Sequence, residues 1–164
     1  MTALGVFRDD YYNAVSVLPQ TQVVGTSQVS GTVLSASLIG GAGDCYINSS
    51  GNTTAVALTT DSAINIIAQI QNAVATAYKQ GLGAFAAGVN PPPGVPNLFN
   101  VSWTLTLLNF NTSAGAITLS GGTGVTLSGG SETTAISTAR VYEVIITSPT
   151  TVSIVSMYSY AIAG

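Results

Sequence analysis

Residues 116–130 read AITLSGGTGVTLSGG, and the fold turns on whether these glycines cradle a ligand or turn a chain. A phosphate-binding loop needs a lysine after its second glycine, so that an ammonium reaches the phosphates that the backbone N–H groups wrap. No lysine stands here. Gly122 and Gly124 lack the third glycine of a dinucleotide fingerprint, and no helical pattern follows them. The other reading is a hairpin. Ile117-Thr118-Leu119-Ser120-Gly121-Gly122 is echoed by Val125-Thr126-Leu127-Ser128-Gly129-Gly130. Each copy alternates apolar and hydroxyl residues, the period of a half-buried strand. Gly122 and Gly124 lie between the copies and supply the positive φ of a tight turn.

Outward from this stretch the same period recurs. Phe99, Val101, Trp103, Leu105 and Leu107 alternate with polar residues and predict a strand over 99–110 with the odd face buried. Strands are expected over 140–147, with Tyr142, Val144 and Ile146 on one face, and over 152–160, with Val152, Ile154, Tyr158 and Tyr160 in phase. Earlier, 29–39, 45–47 and 54–59 read as short strands broken by Gly40-Gly41-Ala42-Gly43 and by Asn48-Ser49-Ser50-Gly51-Asn52. One helix is expected, at about 61–80. Ile64, Ile67 and Val74 keep helical spacing, Asp61 stands as N-cap, Lys79 lies in the last turn and Gly81 follows as C-cap.

The expected architecture is mainly β: an antiparallel β-sandwich or jelly-roll-like body with one α-helix. It forms a single domain over 21–164, with a Gly/Pro-rich insertion at 81–98. Residues 1–20 have neither period and read as an extended N-terminal arm, with Phe7, Arg8, Tyr11 and Tyr12 as docking candidates because arginine and tyrosine anchor interfaces. Pro91, Pro92 and Pro93 stiffen an extended loop in the insertion and are a second candidate contact.

Composition narrows the function. Charged residues are 5% of the 164, against about 25% in ordinary domains. The polar surface is therefore Ser, Thr, Asn and Gln, and copies repel one another little. Net charge is −3, and Arg8, Lys79 and Arg140 are the basic residues. A nucleic-acid binder or a polybasic membrane binder needs a cationic cluster, so neither partner is expected. The helical pattern carries Asn65, Gln69, Gln71 and Asn72 and is too polar to span a bilayer. Residues 1–10 lack the basic and apolar regions of a signal peptide. Cys45 is the single cysteine and reads as a small buried hydrophobe.

Catalytic means are thin. Without histidine, the usual base and the usual metal ligand are missing, and no Ser-His-Asp or Cys-His site can assemble. Asp9 and Asp10 are adjacent, so their carboxylates diverge along an extended chain, and Asp44, Asp61, Glu132 and Glu143 are scattered. No enzyme, cofactor or metal site is expected.

Thr59-Thr60-Asp61-Ser62 opening a helix, Leu105-Thr106-Leu107-Leu108-Asn109, and the Ile117–Gly129 glycine element together resemble the C-terminal region of small structural proteins of tailed bacteriophages: head decoration, capsid cement and head-fibre proteins. The resemblance covers about residues 54–158. A Gly-Asp that usually precedes the central strand there is replaced by the Gly81–Leu98 insertion. The resemblance implies a β-rich virion protein, often a homotrimer, on the exterior of an icosahedral capsid. Its partners would be the major capsid protein, whose neighbouring subunits it clamps, and itself. Phe7, Arg8, Tyr11, Tyr12 and Pro91–Pro93 are then the expected contacts. Two other readings compete. One is a glycan- or receptor-binding module of a head or tail fibre, with Tyr46, Trp103, Tyr158 and Tyr160 as stacking candidates; Trp103 lies in phase with the apolar face, so burial is expected for it. The other is a jelly-roll shell protein that builds particles alone.

Overall fold

The computed structural model describes residues 21–25, 28–33, 45–77, 102–112 and 114–163. The arm at 1–20 and the insertion at 81–98 lie outside the described residues, and with them Phe7, Arg8, Tyr11, Tyr12, Pro91, Pro92 and Pro93.

Ten strands and one helix are described: β1 (Thr21–Val24), β2 (Ser30–Val33), β3 (Cys45–Ser49), β4 (Val56–Thr60), α1 (Ala63–Ala77), β5 (Ser102–Asn109), β6 (Ile117–Ser120), β7 (Val125–Leu127), β8 (Ser131–Thr134), β9 (Thr138–Ser148) and β10 (Thr151–Ala161). They form two sheets, ordered β1-β3-β5-β9-β10-β7 and β2-β4-β6-β8. The mainly β class with one helix is as expected.

The pairing is not purely antiparallel: both sheets are mixed. From β1 to β6 the chain alternates between sheets, and each strand lies parallel to the one laid down a rung earlier. Thr21, Tyr46 and Thr106 thus share a row in one sheet, and Ser30, Ala57 and Thr118 share one in the other. Parallel neighbours need a long crossover. Here the crossover is a strand of the opposite sheet. After β6 the direction reverses. β8 runs antiparallel to β6, β9 antiparallel to β5, and β10 folds back on β9.

The opening repeat is therefore no hairpin. Its first copy is β6 in the smaller sheet, and its second is β7 in the larger, paired with β10. Both copies alternate as expected, with Ile117, Leu119, Val125 and Leu127 buried. The glycines between them carry the chain from one sheet to the other. Gly122 passes so close to the Thr60 carbonyl that a Cβ would collide with it, and its N–H donates to Thr60 Oγ1 at 2.8 Å. Gly124 takes a φ of 76°.

Helix α1 lies within the expected 61–80, but its cap is Ser62, whose Oγ accepts the Asn65 N–H at 3.3 Å. Asp61 stands one residue earlier and accepts from the Ser62 N–H and from Asn65 Nδ2. Ala63 donates its N–H to Thr123 O, just before β7, and the helix contacts β10.

The inward faces of both sheets and the helix share one apolar cluster. Leu58, Ile117 and Leu119 come from the smaller sheet, Ile47, Leu105 and Val144 from the larger, and Ala63, Ile66 and Ile67 from α1. Trp103 joins it at 6% exposure. The alternation makes a paired test. Leu58→Ala empties a fully buried position and costs about 2–5 kcal/mol, whereas Thr59→Ala, on the outer face, stays within about 0.5 kcal/mol. Denaturant midpoints measure both.

Candidate functional site

Three places concentrate polar or exposed groups, and each is set by the winding just described. The first is the corner where β3 and β5 end. Ser49 and Asn109 stand in register there, and the turns after them stack. Asn111 Oδ1 accepts the Asn52 N–H at 2.7 Å, while its Nδ2 reaches Ser49 Oγ, Asn109 Oδ1 and Gly115 O at 2.8–3.1 Å. Asn109 Nδ2 donates to Gly115 O and to Thr134 O, tying in β8. All four side chains are buried. Gly115 has a φ of 90°, and a Cβ there would lie 2.8 Å from Asn111 Nδ2 and from Asn52 O. Each donor meets a carbonyl, amide or hydroxyl oxygen of the corner itself, so this network is a joint between rungs. Asn111→Ala orphans the Asn52 N–H and lowers stability by about 3 kcal/mol, as equilibrium unfolding will measure.

The second place lies between the sheets. Glu132 on β8 and Arg140 on β9 both sit on inner-face register positions, opposite Leu119 and Leu107. They form an ion pair across the sandwich, with the side chains 18% and 23% exposed. Ser156 Oγ also accepts from Arg140 at 3.4 Å. Next along β9, Tyr142 is fully buried. Its hydroxyl and that of buried Thr134 make no hydrogen bond of normal geometry among the described residues. Burial raises the Tyr142 phenol above its ordinary value of 10.0, with Thr134 and the Arg140 charge acting the other way and Glu132 with it. A phenol kept neutral in the fold ionises first in the unfolded chain. The stability it contributes is complete below pH 10.0 and falls as pH climbs through that value toward the raised one. Tyr142→Phe removes this part of the alkaline loss, read as a flatter melting-temperature profile above about pH 10.

The third place is the end of β10. Its first half is ordinary, with Val152 and Ile154 buried on the inner face. A register shift between Ser156 and Tyr158 then inserts a residue. A slip of one residue exchanges the faces of a strand. Ser156 pairs with inward Tyr142, but Tyr158 pairs with Val141 and Tyr160 with Ala139 on the outer face. The expectation that Val152, Ile154, Tyr158 and Tyr160 share a face is corrected by this bulge. Tyr158 and Tyr160 are 60% and 45% exposed, with ring centroids 6.2 Å apart. Met157 is exposed beside them.

The remaining stacking candidates fare differently. Trp103 faces the core, as its phase required. Tyr46 stands on β3 in register with Thr106.

The smaller sheet presents a different surface. Its outer rows are Ser30, Ala57, Thr118 and Thr133, then Thr32, Thr59, Ser120 and Ser131. Thr59 bonds Ser120 at 3.2 Å, and Thr118 bonds Thr133 at 3.1 Å, through their hydroxyls. The charged side chains of the described residues are Asp61, Glu132, Arg140 and Glu143, and none lies in these rows. Among the described residues no group of three or more His, Cys, Asp or Glu is placed to hold a metal ion, and no helix is long and apolar enough to cross a membrane. The chain matches no protein family, no characterised protein and no solved structure.

Proposed function

We propose that this protein acts by contact rather than by chemistry, as a virion structural protein: a capsid decoration or cement protein bound to the outside of an icosahedral phage head. The observation that carries the reading is the uncharged, hydroxyl-covered outer face of the smaller sheet. Its two register rows hold seven Ser or Thr residues and one Ala across β2, β4, β6 and β8. Laying such a face on another protein strips no charge of its water, and its hydroxyls re-form hydrogen bonds on arrival. A symmetric shell repeats the contact, so a modest affinity per copy accumulates. The partner is then the major capsid protein, with the arm residues Phe7, Arg8, Tyr11 and Tyr12 and the Pro91–Pro93 loop as further anchors.

A second reading has its own support. Tyr158 and Tyr160 offer two adjacent exposed rings, and such faces stack on sugars, as a glycan-binding fibre module would require.

Copy number in gradient-purified virus particles separates the two. A decoration protein is expected in simple ratio to the major capsid protein. A copy number matching fibres or vertices moves the assignment to the fibre module, and absence from the particle ends the virion reading. Within the first reading, deletion of residues 2–12 is expected to abolish capsid binding while leaving the β body folded; full occupancy by the truncated chain removes the arm from the contact.

A further inference from the structure

Among the described residues, the outer edge of β10 is left open where its aromatic residues stand. β7 pairs with β10 only over Val152–Ile154, and the chain leaves at Ser128, which accepts the Ser156 N–H. Beyond that point Tyr158–Ala161 pair with β9 alone among the described residues, with Met157 as the inserted residue between the two registers. The Ile162 N–H donates to Ser137 O. Alternation along an antiparallel ladder then turns Tyr160 and Tyr158 toward β9 with their backbone groups, and Ser159 and Ala161 away from it. Their N–H and C=O groups face outward along an edge whose side chains are exposed.

Natural edges of this kind are blunted by lysine, proline, inward charge or a bulge that twists the strand away. Residues 151–163 contain no charge and no proline. The bulge at 156–158 does not end the ladder, because pairing with β9 continues to Ala161. It re-aims the tyrosines while the strand stays in the sheet.

We propose that this edge pairs with the same edge of a second copy of this chain, antiparallel about a two-fold axis through Ser159. The register follows from the outward-facing residues. Ser159 opposes Ser159 of the copy as a hydrogen-bonded pair. Tyr158 then lies opposite Tyr160 of the copy, twice over, on one face. Such cross-strand aromatic pairs stabilise a ladder, and no like charges meet across the axis. The segment is self-complementary, as an isologous contact requires. The larger sheet becomes one continuous sheet through two molecules. This pairing does not depend on where the protein acts, and it gives a dimer where the phage resemblance implies a trimer.

The test is the mass of the purified full chain by light scattering across a concentration series, for wild type, Ser159→Pro and Tyr160→Lys. Ser159→Pro removes an N–H that β9 does not use, and Tyr160→Lys places like charges across the axis. Wild type is expected to be dimeric, with both variants associating at least about tenfold more weakly and keeping the wild-type circular dichroism. If the proline variant misfolds, the lysine variant decides. As a register check, Ser159→Cys in a Cys45→Ala background is expected to form an intermolecular disulfide, because hydrogen-bonded antiparallel partners stand about 5.5 Å apart at Cα. A monomer, a trimer, a dimer untouched by a folded variant, or failure of the cysteine to cross-link overturns the proposal.

Discussion

The joint made by Asn109 and Asn111 is the constraint on which the stacking of the two sheets depends. A chain that alternates between sheets must turn at the end of every rung, and each turn brings backbone groups to a corner where water is excluded. Unpaired, each such group costs about 1–3 kcal/mol. Here one rung satisfies the next. Asn111 accepts from the backbone of Asn52 in the rung below, while Asn109 donates to Gly115 in its own turn and to Thr134 in β8. Because amides donate and accept at once, the corner is tied without any charge, with Asn52 Oδ1 alone among its side-chain amide atoms making no hydrogen bond among the described residues. The same joint fixes register, since Ser49 has to meet Asn109 for the bonds to form.

The ion pair between Glu132 and Arg140 works at the other boundary of the interior. Both residues occupy inner-face positions that alternation would give to apolar side chains. Each supplies the other's counter-charge, and both remain partly solvated, so their desolvation is incomplete. A pair of this kind adds little net stability, and it links β8 to β9 across the sandwich. Tyr142, whose hydroxyl makes no hydrogen bond of normal geometry among the described residues, is held there by the area its ring buries.

Local elements were legible in the sequence where a single period ran uninterrupted. The alternation around Trp103, the paired strands β9 and β10, and the helical spacing of Ile64 and Ile67 all gave elements close to those observed. What connects them was not. A parallel rung and a hairpin strand share the same two-residue period, so the echo between Ile117 and Val125 could not say whether its copies pair or part. β8, with Ser131-Glu132-Thr133-Thr134, is too polar to have drawn attention and is a strand because it completes the edge beside β6. The faces of Tyr158 and Tyr160 were misread for a traceable reason. Val152, Ile154, Tyr158 and Tyr160 all hold even positions, so the two-residue period runs on in the sequence while the strand changes face at the bulge.

The winding also orders the formation of the molecule in time. Contacts between β9 and β10 span a short loop, and those between β5 and β9 lie within the same C-terminal stretch, whereas β3 must cross the helix and the insertion to find β5. Closing long loops before any contact repays them is slow. The hairpin of β9 and β10 and the pairs β1–β3 and β2–β4 therefore close over shorter stretches of chain than the joints of β3 with β5 and of β4 with β6. Each half of the winding is thus linked within itself, and the joint between the halves is the contact that folding must wait for longest.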